Sequence, residues 1–332
     1  MRTYLLPENG NFYKTNLHCH TTISDGTMTP EEIKETYKAM GYSAVCFTDH
    51  EVLIGHEDLC DDSFIALHGY EVAIKKNPDD HTGLFQPVYH MNLISEDQKN
   101  LTMPMCNLGL TSWPGACKEW FEKYAKYDKA SATDHNEYNT EWINRYIKTV
   151  TEAGFLVTYN HPMWSLQTME DYADLKGLRG VEVINGGCIA FNDNTSIHME
   201  ILLRRGTDVL PVAGDDNHGR KECGRCFTMI NAPALTYKDL IDGYKKGSCY
   251  ASEGPEILEL SLENGRFRLR TDRPCTATLL SEGRHIRTTD FTECADLEFK
   301  PSSAGRYVRF EVRDKEGKKA FTRAYLTADY IG

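Results

Sequence analysis

Apolar and polar positions fall into two textures along this chain. Between Thr15 and about Gly247, short apolar runs alternate with stretches of helical period, whereas beyond Gly254 only a two-residue alternation persists. The runs at 15–21, 43–48, 64–74, 89–94, 155–159, 180–184, 209–212 and 226–230 predict strands. Helical spacing appears at 29–40, 140–153, 193–205 and 237–246, and the first of these carries its own punctuation: Thr29 as N-cap, Pro30 in the first turn, Gly41 after the end. Strand–helix alternation over this length predicts an α/β fold built on a largely parallel sheet or barrel. Residues 100–129 form an insertion of less clear character. After Ser252-Glu253-Gly254-Pro255, strands are expected at 256–263 and 266–271, joined by an Asn264-Gly265 turn, and then at 276–281, 284–289, 297–300, 306–313 and 320–327. No helical period interrupts them, so residues 254–332 read as a small antiparallel β-sandwich domain behind a first domain of residues 1–253.

Composition narrows the function. The chain has 332 residues, 40% hydrophobic and 26% charged, with a formal net charge of −12. That balance argues against a protein that wraps duplex nucleic acid. It leaves room for a small anionic substrate if bound cations make the site locally positive. No run approaches the ~18 apolar residues of a membrane helix. The first thirteen residues lack the apolar core of a secretory signal, so a cytoplasmic location is expected. Eleven cysteines, an odd number without framework spacing, read as free thiols. Cys223-Gly224-Arg225-Cys226 has redox or zinc half-site spacing, but no second such pair exists and no helix opens at it, so a packing role is expected.

The chemistry gathers where predicted strands end. His18 and His20 lie two apart on one strand and share a face, with Cys19 turned the other way, and Asp25 follows on a turn. Asp49-His50 ends the second strand, Glu71 and His90 lie in the third and fourth, and Asn160-His161-Pro162 ends the fifth. Asp215-Asp216-Asn217-His218 follows a late strand. Imidazoles and carboxylates converging at the carboxyl ends of strands are what a divalent transition metal asks for, and mixed N/O donors favour Zn, Mn or Fe over Mg or Ca. Six of the twelve histidines occupy such places, more than surface scatter would give. Asp49 is expected to orient His50 or meet solvent at the site, and Asp215 either caps a turn beside the ligand or joins it. Thr133-Asp134-His135 follows no apolar strand and reads as a loop away from the site. His56, His68, His81, His198 and His285 read as core or surface residues. Arg220, Lys221 and Arg225 either clamp a phosphate or are solvated loop charges. Trp164 either walls the pocket or packs in the core, and Asn185 either lines the pocket or serves a turn.

In order and placement this series resembles the PHP (polymerase and histidinol phosphatase) superfamily of metal-dependent phosphoesterases, whose fold is a distorted barrel of seven β/α units. The resemblance runs from Thr15 to Gly219. It implies a first metal held by His18, His20, Glu71 and Asp216, a second by Glu71, His90 and His161, and a third by Asp25, His50 and His218. Two to three divalent ions (Zn, Mn or Fe) are therefore implied as cofactors. Glu71, Asp216 and His161, with Arg220, would serve catalysis through a metal-bridging hydroxide that attacks phosphorus. Three such ions against the charges of Asp25, Glu71 and Asp216 would leave the site near roughly +3, which suits a small phosphorylated metabolite or nucleotide. Tyr13-Lys14-Thr15-Asn16-Leu17-His18, Cys249-Tyr250-Ala251-Ser252-Glu253-Gly254-Pro255 and the segment from Arg306 to Val312 are similar to the carbaryl-hydrolase-like branch, which carries a small β domain. That branch includes esterases and carbamate hydrolases, so carboxylic or carbamate ester hydrolysis on the same metals is the alternative. A binding module with structural metals is a third possibility, and the full ligand set argues against it.

Overall fold

Thr29, Pro30 and Gly41 bound the first helix as their chemistry predicts. The helix Pro30–Ala39 opens on Thr29, whose hydroxyl accepts the Glu32 N–H while the Glu32 carboxylate accepts the Thr29 N–H. This reciprocal cap satisfies two donors that the first turn leaves open. Gly41, at φ +78°, ends it. The computed structural model describes residues 2–7, 11–78, 85–191, 194–284, 286–298 and 305–330. His81 and His285 lie outside the described residues, as do parts of the ranges 193–205, 284–289 and 297–300. Their described portions hold the helix Ile197–Arg204 and the strands Ile286–Phe291 and Ala295–Glu298.

One large sheet organises the α/β part. Neighbour to neighbour, its strands are Leu210–Gly214, Gly180–Asn185, Phe155–Tyr159, Val88–Ser95, Ile65–Lys75, Ala44–Phe47 and Asn11–Asn16. Pairing is parallel except around Val88–Ser95, which runs antiparallel to both of its neighbours. The sheet is thus mixed where a largely parallel one was expected. Gly69 pairs with Ile94 and Lys75 with Val88, so Val88–Ser95 runs back alongside the strand before it. Helices pack outside: Ile33 and Tyr37 of the first helix join Val45 and Phe47 in one core, and Ile143, Ile147 and Val150 of Thr140–Glu152 join Val157 and Val183 in another. The insertion contributes a short parallel pair, Thr102–Met103 with Lys126–Tyr127, around the helix Cys117–Tyr124.

The two ends of this run of strands meet. Cys19, just past Asn11–Asn16, forms a parallel bridge with Asn217, just past Leu210–Gly214. The Asp216 N–H donates to the His18 carbonyl at 2.9 Å, and the His20 N–H to the Asn217 carbonyl at 3.2 Å. At the other end of the junction, the strand Phe227–Ala232 lies antiparallel to Asn11–Asn16. There Thr228 replaces a backbone ladder with its side chain. Its hydroxyl accepts the Ala213 N–H at 2.9 Å and donates to the Ala213 carbonyl at 3.0 Å.

The sheet continues antiparallel through Cys249–Ser252, Lys319–Thr322, Tyr307–Asp314, Cys275–Ser281 and Ile286–Phe291. A second antiparallel sheet runs Arg2–Tyr4, Ile257–Glu263, Arg266–Thr271, Ala295–Glu298. Leu260, Phe267 and Leu269 of one sheet share a core with Leu279, Phe310 and Val312 of the other, with Phe267 and Phe310 edge to face at 5.0 Å. Asn264 and Gly265, at φ +50° and +73°, make the predicted primed turn. Two features were not legible from texture: the N-terminal strand is an edge of the second sheet, and Cys249–Ser252 joins the two parts through one ladder. Buried Arg309 adds an ionic tie, donating to Glu200 of the helix Ile197–Arg204 at 2.9 Å and to Glu311 at 2.6 Å. Among the described residues no helix is long and apolar enough to cross a membrane.

Thr228→Val keeps the shape but leaves the Ala213 N–H and carbonyl without partners. It should cost about 1–3 kcal/mol in urea-induced unfolding. An unchanged unfolding midpoint would show that the side-chain junction contributes nothing.

Candidate metal centre

The junction places the N-terminal histidines against the late aspartate. His18 and His20 point to one side, while Cys19 packs in the core as the alternation requires. Their Nε2 atoms lie 3.1 Å apart, and the Asp216 Oδ1 is 3.3 Å from one and 3.1 Å from the other. Glu71, 1% exposed, sits at the middle. Its Oε1 lies 3.4 Å from His18 Nε2, 3.1 Å from His90 Nδ1 and 3.3 Å from His161 Nε2. Its Oε2 is 3.4 Å from His20 Nε2 and 3.2 Å from His50 Nδ1. At the rim, Asp25 stands 3.7 Å from His50 Nε2 and 3.4 Å from His218 Nε2. All nine residues expected from the sequence therefore face one another.

The spacing suits a shared cation. Donors bound tetrahedrally at about 2.0–2.1 Å lie about 3.3 Å apart, and most of these separations fall close to that. Four sets have donor atoms close enough to hold an ion together: His20, Asp25, His50 and His218; His18, His161 and Asp216; His18, His20 and Glu71; His50, Glu71 and His90. This grouping couples His50 with Glu71 and His90, and His161 with His18 and Asp216, beyond the division that the resemblance implied. His50 Nδ1 and Asp25 Oδ1 are buried and make no hydrogen bond among the described residues, so each has a lone position to offer.

Charge balance in the protein alone is tense. Burial would raise Glu71, but the imidazoles of His90, His18 and His50 outweigh it and hold its carboxyl well below the usual range. Asp216 is held low in the same way, chiefly by His18 and a hydrogen bond from His20. Burial would lower His20, yet its bonds to Asp216 and Glu71 raise it to about 10. His18 is likewise raised by Asp216, Glu182 and Glu71. His50 moves the other way, to about 3, through burial and repulsion from His20. Protons on some imidazoles thus do what a cation would do.

Several supports escaped the sequence reading. Glu182, 1% exposed, lies within Gly180–Asn185. It holds His18 Nδ1 at 2.8 Å and accepts the His161 N–H at 3.1 Å and the Asn185 side chain at 2.9 Å. A carboxylate on Nδ1 leaves Nε2 as the lone-pair nitrogen facing the cluster, the arrangement that orients metal-binding histidines. The available signal was an acid between two valines in an apolar strand. Asn160 donates to Glu71 at 2.8 Å, and Asn185 donates to Asp216 at 3.2 Å. Glu222 accepts the His218 and Gly219 N–H groups. His161 and Asp216 adopt φ of +24° and +48°. Left-handed backbone outside glycine costs about 1–3 kcal/mol per residue and persists where surroundings enforce it.

Other expectations resolve as follows. Asp49 does not touch His50; it accepts two hydrogen bonds each from Thr21 and Ser24 and fastens the turn that carries Asp25. Asp215 is a cap, accepting the N–H groups of Gly224, Arg225 and Cys226 and the Tyr37 hydroxyl. Arg220 is exposed and donates to Thr36 on the first helix, so its guanidinium does not line the cluster. Arg225 donates to the Gly186 carbonyl. Trp164 forms a wall, its ring 5.1 Å from His161 and 5.3 Å from His90. His135 lines a different cavity. All eleven cysteines are unpaired, and burial pushes the Cys223 and Cys226 thiols up, Cys223 to about 11. The cavity at the cluster measures about 210 Å³, with Trp164, Gly187, Cys188 and Glu222 completing its wall and, among the described residues, no lysine or arginine in its lining.

Comparison with known proteins gives one family match. The family model of the PHP domain matches residues 16–126, a span that holds His18, His20, Asp25, His50, Glu71 and His90. No curated protein sequence matches the chain. Among solved structures, the chain is similar to a two-domain protein from Bacteroides vulgatus containing a predicted PHP-like metal-dependent phosphoesterase. That similarity has 14% identity, 97% of this chain and 98% of that one covered, and a TM-score of 0.41. It is also similar to a lesion-specific endonuclease from Pyrococcus furiosus at 15% identity, covering 71% and 56%, with a TM-score of 0.43. An amidohydrolase from Chromobacterium violaceum solved with sulfate and no metal shares 16% identity over 62% and 87%, with a TM-score of 0.40. What the sequence itself carries is a PHP domain match over residues 16–126.

Proposed function

We propose that this protein is a metal-dependent hydrolase, and specifically a phosphoesterase acting on a small phosphorylated substrate. The observation that carries this reading is the convergence of nine imidazole and carboxylate residues in one cluster, seven of them lining its cavity and six of the nine inside the segment that matches the PHP domain. In this reading His18, His20, Glu71 and Asp216 hold one divalent ion, Glu71, His90 and His161 a second, and Asp25, His50 and His218 a third, with Zn, Mn or Fe suiting the donors. Bound there, such ions supply Lewis acidity and an activated water at neutral pH.

The protein's own groups do the positioning. Glu71 spreads its two oxygens between opposite sides of the cluster, and Asn160 fixes its rotation. Glu182 sets the His18 tautomer and the His161 backbone together, while Asn185 ties Asp216 to the same carboxylate. Trp164 limits access by water. Arg220 has no part in this scheme. We also read the seven strands from Asn11–Asn16 to Leu210–Gly214 as a distorted (β/α)7 barrel within residues 1–253, and residues 254–332 as a β-sandwich domain completed by the strand Arg2–Tyr4. The unpaired thiols suit a reducing, cytoplasmic setting. A carboxylic or carbamate ester remains a second reading, favoured by the absence of lysine or arginine around the cluster and by the apolar Trp164 wall.

Turnover of p-nitrophenyl phosphate should vanish on chelation and return with Mn²⁺ or Zn²⁺, and Asp216→Ala and His161→Ala should each abolish it while circular dichroism stays native. Faster cleavage of p-nitrophenyl acetate or an aryl carbamate would select the second reading. Glu182→Gln should weaken zinc affinity about 10–100-fold in competition with a chelator; equal affinity would deny the carboxylate its orienting role. Zinc binding to metal-free protein at pH 7 should release protons, because His18 and His20 are raised above neutrality and must deprotonate to ligate. Calorimetry in buffers of different ionisation enthalpy measures this, and a zero proton count would contradict it.

A further inference from the structure

A second cavity, about 200 Å³, lies beside the metal centre between the strand Ile65–Lys75 and the insertion. Side chains alternate along that strand, so Glu71, Ala73 and Lys75 share a face, while Val72 and Ile74 enter the core. The face that presents Glu71 to the cluster therefore presents Lys75 to this cavity, about 13 Å further along. Two other walls also border the cluster. Glu51 follows His50 and accepts the Ala73 N–H at 2.7 Å. Pro114 is followed by Gly115, packed so tightly on the Ser24 carbonyl and Asp25 that no side chain would fit, and the Ala116 N–H donates to Ser24.

The chemistry of this lining is particular. Beside the apolar Ala73, Pro78, Leu110 and Pro114, the lining offers acceptors (the Glu51 and Asp134 carboxylates), donors (the Lys75 ammonium and the Asn107 amide) and groups that can do either (the Ser112 hydroxyl and the His135 imidazole). The Asn107 Oδ1 already accepts the Gly109 N–H, which leaves its NH₂ for a ligand. The Asn136 Oδ1 is buried and has no hydrogen-bond partner among the described residues, a cost that a ligand donor reaching it would remove. Apart from the His135 imidazole, no aromatic ring lines the cavity among the described residues. Trp113, in the same loop, is turned onto Phe121 and donates to the Leu110 carbonyl.

We propose that this cavity receives the alcohol portion of the substrate and that this alcohol is polyhydroxylated, a sugar or polyol, so that the substrate is a sugar or polyol phosphate. The proposal rests on the phosphoesterase reading above. A hydroxyl both donates and accepts, so a run of them can satisfy both kinds of group, whereas an aryl or alkyl alcohol would cover the polar groups of this lining without hydrogen-bonding to them.

The test compares Mn²⁺-loaded wild type, Asn136→Leu and Lys75→Ala on D-glucose 6-phosphate, glycerol 3-phosphate and p-nitrophenyl phosphate. Ligand-observed NMR of D-glucose 6-phosphate is run in parallel on the same proteins. The expected result is that the ratio of kcat/KM for the sugar or polyol phosphate to that for p-nitrophenyl phosphate falls at least about tenfold in each variant, and that the NMR signal of binding weakens with it. Unchanged ratios, or no detectable binding of D-glucose 6-phosphate to wild type, overturn the assignment of the cavity. Binding that is lost in Asn136→Leu, without turnover of any of the three phosphates, keeps the cavity assignment and overturns the phosphoesterase reading instead.

Discussion

Parallel pairing of residues 18–20 with 216–217 is the constraint on which the rest of the molecule depends. Two segments nearly two hundred positions apart become neighbours through a pair of backbone hydrogen bonds, and those bonds set the register of His18, His20 and Asp216. A slip of one residue would turn His18 and His20 outward and bring Cys19 into the cluster, since successive side chains on a strand face opposite ways. The register is held by packing as well as hydrogen bonding: Cys19 is buried on the far side, and an imidazole could not replace it there without leaving its nitrogens unpaired. Thr228 bonds to Ala213 lower in the same seam, so the junction is fixed at two heights.

Once that register is set, much of the centre's strain and charge has a source. Asp216 takes a left-handed backbone, with its N–H bound to the His18 carbonyl and its side chain among four imidazoles, those of His18, His20, His161 and His218. His161 does the same with its N–H on Glu182. Buried carboxylates at this density would be expensive unless countered, and in the protein alone the counter-charge is imidazolium. The cluster is therefore poised between protons and metal, with Glu182 favouring the tautomer that metal needs. Stability is given up at the carboxyl ends of the strands and recovered in the apolar layers beneath them, where Val157, Val183 and Ile147 are fully buried.

Most of this was legible in the sequence because period and ligand chemistry agree at each strand end. The helix Tyr237–Lys246 and the strand Phe155–Tyr159 have the predicted limits, since capping residues and apolar runs are local signals. All nine candidate ligands converge for the same reason: each was read from its place in a strand, at a strand's end or on the turn that follows one. What escaped was non-local. The antiparallel course of Val88–Ser95 rests on its pairing with Ile65–Lys75 and Phe155–Tyr159, which the apolar run by itself does not announce. The pairing of Arg2–Tyr4 with Ile257–Glu263 joins opposite ends of the chain and leaves no mark in either alone. Asp49 and Arg220 went astray because adjacency in sequence to a ligand was read as adjacency in space; one carboxylate turned to Thr21 and Ser24, and the guanidinium reached across to Thr36.

Division of labour at the mouth follows from where each part is built. The cluster stands on strand ends and on turns fastened by buried carboxylates, so its geometry is stiff and tolerates little change in side-chain length. The neighbouring cavity borrows one wall from the strand Ile65–Lys75 and takes the rest from the insertion and the turn after His50, segments that can vary without disturbing the seam. A single strand face thus runs from Glu71 in the rigid centre to Lys75 in the adaptable one. The two cavities are joined along residues 71–75 of one strand, and the insertion can vary while the cluster stays in register.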